Sequence, residues 1–148
     1  MSLMADYKKI CKNFTDISDV ILFLRIFFVY IFIPVLLAVL PLPFLMRILT
    51  SKRRKAGQDT KIARILKYTD FISLKLNCIF KATCLKKSLV LYKFLSIYEP
   101  GVTFNLGIIS DKKKLSGHSW LTFAQKTLFF DKVDVAKFKR IYSYSYQN

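Results

Sequence analysis

The stretch Phe80-Lys81-Ala82-Thr83-Cys84-Leu85-Lys86-Lys87-Ser88-Leu89-Val90-Leu91-Tyr92 decides how this chain is read. Thr83 has the side chain of a helix N-cap, and Leu85, Leu89, Tyr92, Leu95 and Tyr98 recur behind it at helical spacing. That helix is expected to stop at Pro100-Gly101. The period then switches to two: Val102, Phe104, Leu106 and Ile108 alternate with Thr103, Asn105 and Gly107. A charged turn over 110–114 separates this strand from a second, His118–Phe123, and Gln125-Lys126 reads as a hairpin turn into Thr127–Phe130. Tyr142, Tyr144 and Tyr146 alternate as a last strand or an ordered tail. The fold class is therefore α+β, with a helix packed on a small antiparallel sheet.

Upstream, Ile62, Ile65, Leu66, Phe71, Ile72, Leu76 and Ile79 give residues 61–80 a broadly helical rhythm. The basic run Ser51-Lys52-Arg53-Arg54-Lys55-Ala56-Gly57 reads as an exposed linker. Residues 20–49 are almost wholly apolar, interrupted by Arg25, Arg47 and three prolines. The Pro41-Leu42-Pro43 break leaves a helix over residues 19–40 and a shorter one after Pro43. The expected organisation is an apolar helical region with a basic linker over 1–57, followed by a compact unit over 58–148. No charge falls between Arg25 and Arg47, and about 20 apolar residues suffice to span a bilayer. The apolar run thus reads either as a bilayer-spanning helix or as a helical hairpin that packs on the rest of the chain or lies at an interface. If it spans, the flanking Lys52, Arg53, Arg54 and Lys55 would hold the C-terminal side in the cytoplasm, and the expected location is cytoplasmic, with membrane association through the apolar segment as the alternative.

Composition excludes several classes. The chain has 148 residues, 53% of them apolar, which is enough for a core and too much for global disorder. Three cysteines and no cleavable signal pattern argue against a secreted disulfide scaffold. Lys and Arg number 25 against 9 Asp and Glu, a formal charge of +16 that favours anionic surroundings. The basic residues are spread along the chain without an aromatic-interleaved motif, which speaks against nucleic acid as a partner. A single histidine offers no plausible zinc site, and no cofactor is called for.

The candidate chemistry centres on Cys84. It sits where the chain enters a helix, and first-turn N–H groups lack intrahelical partners and carry the positive end of the helix dipole. That setting favours the thiolate, the reactive form, and Lys86 and Lys87 add positive potential. The Cys84 backbone N–H is a candidate oxyanion donor. Cys11 and Cys78 read as ordinary small apolar residues. His118, the chain's one imidazole, begins a strand and is the candidate base. Asp131 closes the next strand and is the candidate carboxylate to orient it, with Asp134 a rival within reach.

These residues carry a resemblance. The Thr83-Cys84-Leu85 run resembles the aromatic-basic-x-Thr-Cys-Leu-x-Arg-Ser/Ala-Leu signature of the short, split-form B proteins of lasso peptide biosynthesis. Gly117-His118-Ser119-Trp120-Leu121 is similar to that family's Ala-His-Ala-Trp-Val, and Glu99-Pro100-Gly101-Val102 with Leu106-Gly107-Ile108 resembles the connection between them. The likeness covers roughly residues 66–131. Gly117, Ser119 and Lys87 depart from the usual residues, Lys87 losing the planar fork of Arg while keeping its charge. The loop before Asp131 is also about a residue longer than usual.

The resemblance implies a transglutaminase-like, papain-like core and a cysteine peptidase that removes the leader from a ribosomally made precursor peptide. Cys84 then maps onto the nucleophile, His118 onto the base and Asp131 onto the orienting carboxylate. It implies as partners the precursor's leader, a small winged-helix recognition protein in trans and an ATP-dependent macrolactam cyclase. The apolar run from Ile26 to Met46 is the expected docking region for the recognition partner, the cyclase or the membrane, with membrane contact extending over residues 20–49. The competing readings are a transglutaminase-like acyl transferase and a non-catalytic basic, membrane-associated binding protein.

Overall fold

The computed structural model describes residues 17–51, 59–76, 83–99, 101–111, 114–124, 126–128 and 134–146. Among the described residues four helices precede the sheet: α1 (Ile17–Val39), α2 (Leu42–Leu49), α3 (Asp59–Leu76) and α4 (Cys84–Leu95). Then come β1 (Thr103–Asp111), β2 (Lys114–Phe123) and β3 (Lys126–Leu128), a short 3-10 turn (Val135–Lys137) and β4 (Lys139–Ser145). The class is α+β, with an N-terminal apolar helix as expected.

α1 runs through Pro34 without breaking. An interior proline costs about 3 kcal/mol or more. Packing on both sides of it offsets that cost: Ile26, Tyr30 and Ile33 are buried before it, and Leu36 and Leu37 pack on the core beyond it. α2 starts at Leu42, not after Pro43 as the sequence suggested. Pro41 caps it and Pro43 falls in the first turn, where a missing N–H costs nothing. Thr50 ends this helix by returning its N–H and Oγ1 to the Met46 carbonyl at 3.0 and 2.7 Å.

α3 begins two residues before the expected Lys61, with Asp59 in the first turn complementing the dipole. Its buried residues Ile65, Tyr68 and Ile72 face α1 and α4. Asp19, buried in the first turn of α1, pairs with Arg64 of α3, and Lys87 of α4 pairs with Asp70 of α3 at 2.8 Å. α4 stops at Leu95, short of Pro100-Gly101, and the chain turns through Tyr98 and Glu99, whose N–H groups both return to the Leu95 carbonyl. Gly101 then takes φ +96°, a conformation that favours glycine.

The sheet is antiparallel with strand order β3-β2-β1-β4. β4 pairs with β1 and so closes the far side of the sheet. β1 reaches Asp111 and β2 starts at Lys114, which shortens the expected charged turn. Phe104 and Leu121 point into the molecule and are buried, and Tyr142 and Tyr144 pack in from β4. The rings of Tyr144 and Tyr92 meet edge to face at 6.0 Å. Residues of α1, α2, α3, α4 and the sheet form one hydrophobic cluster, with Ile26, Met46, Ile65, Leu89 and Phe104 all fully buried. α1 is long and apolar enough to cross a membrane, but one of its faces is part of this core.

Candidate active site

α4 lies against the outer edge of β2, and its polar contacts there are regular. Ser88 Oγ donates to the Ser119 carbonyl at 3.1 Å, and Ser119 Oγ donates to Ser88 Oγ at 3.2 Å. One helical turn earlier, Cys84 Sγ lies 4.0 Å from the Gly117 carbonyl. The match is geometric: four helical residues advance about 6 Å, and two strand residues about 6.6 Å. Cys84 and Ser88 therefore stay opposite Gly117 and Ser119 with no distortion. Among the described residues, β3 pairs only with Leu121, Thr122 and Phe123, so this stretch of the β2 edge faces the helix.

The head of α4 is built as the sequence indicated. Thr83 is extended (φ −92°, ψ 147°), and its Oγ1 accepts the Lys86 N–H at 3.4 Å. The Thr83 carbonyl takes the Lys87 N–H at 3.2 Å, which starts the helical ladder. Cys84 and Leu85 thus keep first-turn amides for which the helix supplies no acceptor. Cys84 is a half-buried free thiol. Lys87 reaches the same cleft, but its ammonium is shared with Asp70, so less positive potential bears on the sulfur than charge counting suggests.

His118 stands opposite Gly107 on β1, one residue beyond the carbonyl that the sulfur approaches. Its ring is buried and nearly parallel to that of Trp120, 14° apart with centroids at 6.3 Å. Phe138, just before β4, packs against the imidazole at 5.3 Å. Gly107 makes room for this arrangement. A Cβ there would come within 2.8 Å of the Trp120 ring and 3.0 Å of Phe138 Cβ. Cys84, His118, Ser88 and Trp120 line one small cleft of about 20 Å³. That is about one water's worth of space, so a peptide would lie across its mouth.

Asp131 falls outside the described residues. Asp134 is described, and its carboxylate is engaged locally: Oδ1 accepts the Ala136 N–H at 3.2 Å, and Oδ2 lies 3.8 Å from Lys137 Nζ. Cys11 and Cys78 also lie outside the described residues. Among the described residues, no group of three or more His, Cys, Asp or Glu converges.

Sequence reasoning brought Cys84 and His118 to one cleft and missed three supports. Ser88 had a signal, since it stands one turn after Cys84 inside the quoted motif. Gly107 had a weaker one, as a glycine within a strand often marks a close approach. Phe138, just before β4, had none.

Comparison with known proteins adds the family. No curated protein and no solved structure matches the chain at a significant level. The model of the transglutaminase-like superfamily matches residues 28–143. A match that runs from the middle of α1 into β4 covers most of the molecule, and on it the chain belongs to the transglutaminase-like superfamily, which includes cysteine peptidases and acyltransferases.

Proposed function

We propose that the chain is a cysteine peptidase that removes the leader from a ribosomally made precursor peptide during lasso peptide maturation. One observation carries the reading: a thiol at the first turn of a capped helix opens on the same cleft as the chain's one imidazole. The superfamily supplies the class, and the Thr83-Cys84-Leu85 and His118-Ser119-Trp120 motifs supply the narrower substrate.

In this reading His118 accepts the proton of Cys84, and the sulfur attacks the carbonyl carbon at the leader–core junction. The oxyanion is held by the Cys84 backbone N–H. The imidazolium then gives its proton to the departing amine of the core, the C–N bond breaks, and the leader remains as a thioester. Water, deprotonated by the same imidazole, hydrolyses the thioester and frees the thiol. On the resemblance Asp131 is assigned the orienting carboxylate, and Asp134, which caps a turn and lies 3.8 Å from Lys137 Nζ, is its rival. No metal or cofactor takes part. The leader is captured by a small winged-helix partner in trans, through strand addition, which leaves the narrow cleft of this chain to cleavage alone. An ATP-dependent cyclase then receives the freed core.

The test is intact-mass analysis of a precursor peptide incubated with the protein and its recognition partner. Two fragments whose masses sum to the precursor plus water are expected. A crosslinked product or loss of ammonia would overturn peptidase action in favour of acyl transfer. Unchanged processing by Cys84→Ala would overturn both.

A further inference from the structure

α1 has two apolar faces. Ile26, Tyr30 and Ile33 are buried against α3 and α4, and the opposite side carries Ile17, Leu24, Phe28, Phe32, Val35 and Val39, all exposed. Ile17 is 81% exposed, Phe32 57% and Val39 74%. Their spacing of seven, four, four, three and four residues keeps them on one stripe about 33 Å long. Phe44 and Ile48 of α2 are exposed as well. A surface helix ordinarily turns a polar face to water, and a continuous apolar stripe of this length marks an interaction site.

Charge identifies the occupant. Residues 20–58 contain no Asp or Glu but six basic residues: Arg25, Arg47, Lys52, Arg53, Arg54 and Lys55. We propose that α1 and α2 lie in the plane of an anionic lipid bilayer, with the outer stripe in the headgroup–acyl boundary and the basic, acid-free sequence of this region supplying the attraction to anionic lipid. This is the pattern of a monotopic helix, and each basic residue at such a surface adds attraction. Spanning the bilayer would instead pull Ile26, Tyr30 and Ile33 out of the core and break the Asp19–Arg64 pair. A twofold contact between copies would set two basic fringes of a +16 chain against each other, which is disfavoured. The inference goes beyond the proposed peptidase activity and does not depend on it.

The test is co-flotation of the full chain with phosphatidylcholine vesicles made with and without phosphatidylglycerol. Anionic vesicles should bind it at least about tenfold more tightly, and rising salt should weaken the binding. Phe28→Ser with Phe32→Ser should lower binding at least about tenfold. Replacing Lys52, Arg53, Arg54 and Lys55 by Gln should remove the preference for anionic lipid. The first pair is solvent-facing, so an unchanged circular dichroism spectrum will show that the fold is intact. Cys84→Ala should float like the parent chain, which separates this test from that of the peptidase reading. Failure to float, retention on vesicles after alkaline carbonate, or a dimer by light scattering that Phe28→Ser with Phe32→Ser abolishes would each overturn the in-plane arrangement.

Discussion

α1 and α4 are both rich in large apolar residues, but they are fixed in the fold by different means. α4 is placed by polar atoms: the Thr83 cap, the Ser88–Ser119 bonds and the Lys87–Asp70 pair set its position along β2. α1 is placed mostly by burial, with the Asp19–Arg64 pair as a polar anchor in its first turn. Directional bonds fix distances at the helix head to within tenths of an ångström, whereas hydrophobic burial is non-directional. A nucleophile needs the first kind of placement and a docking surface needs only the second.

The largest expected effect breaks the chemistry at α4. Cys84→Ala and His118→Ala should each lower precursor cleavage by about 10³-fold or more, and the double variant should be little worse, since the two act as a unit. Cys84→Ala should melt close to the parent, whereas His118→Ala removes a buried ring packed on Trp120 and Phe138 and should melt lower, so cleavage is compared well below both transitions. A multiplicative loss in the double variant would show that the two residues do not share one step.

Next comes a contrast across α1. Ile26→Ala removes a fully buried side chain and should cost about 2–5 kcal/mol in urea unfolding. Phe32→Ala, on the exposed stripe, should stay within about 0.5 kcal/mol. Equal losses at the two positions would mean that the outer stripe is buried in solution.

That contrast explains what was legible in the sequence. The head of α4 was readable because Thr83 and Cys84 act locally, through a cap and a dipole that need no distant partner. The strands were readable where one face is buried, as at Phe104 and Leu121. α1 has no polar face to mark the outside, so hydrophobic periodicity could not choose its inner stripe. The buried set 26, 30 and 33 depends on where α3 and α4 pack, which is tertiary information. The start of α2 at Leu42 was missed because a proline that breaks a helix interior is tolerated in a first turn. Phe138 was missed because it reaches His118 only through the long-range pairing of β4 with β1, which is tertiary information.

Gly107→Ala probes the strand side of the cleft. The new methyl would press on Trp120 and on Phe138, which has no flexible end to swing away. The expected cost is about 1–3 kcal/mol, typical of overpacking. Because both rings contact His118, cleavage should fall further than stability explains when measured well below the melting temperature. Ser88→Ala should be milder, about 1 kcal/mol for the lost bonds to Ser119. A kcat loss with KM unchanged would indicate that the helix had shifted along β2.

Tyr92 belongs to both regions, since its ring packs on Tyr144 of the sheet and its hydroxyl meets Thr50 Oγ1 at 3.1 Å. At neutral pH, Tyr92→Phe should cost about 0.5–1 kcal/mol for that one bond, no more than Ser88→Ala. Alkaline pH sharpens the comparison. Burial pushes the Tyr92 phenol up to about 12, against the Thr50 bond, which favours the ionised form. The unfolded chain releases this proton near pH 10. Between pH 10 and about 12 the folded state therefore holds more protons, and stability falls as pH rises. Tyr30, Tyr68 and Tyr142, also raised mainly by burial, steepen the same fall. Lys93 acts with the opposite sign below this window. Burial lowers its ammonium, so the unfolded state binds the extra proton and stability rises slightly as pH approaches 10.5. Urea midpoints measured from pH 8 to 12 should thus rise a little and then drop, and Tyr92→Phe should make the drop shallower. An unchanged slope would place the Tyr92 hydroxyl in water and remove the link between α2 and α4 that the Thr50 contact represents.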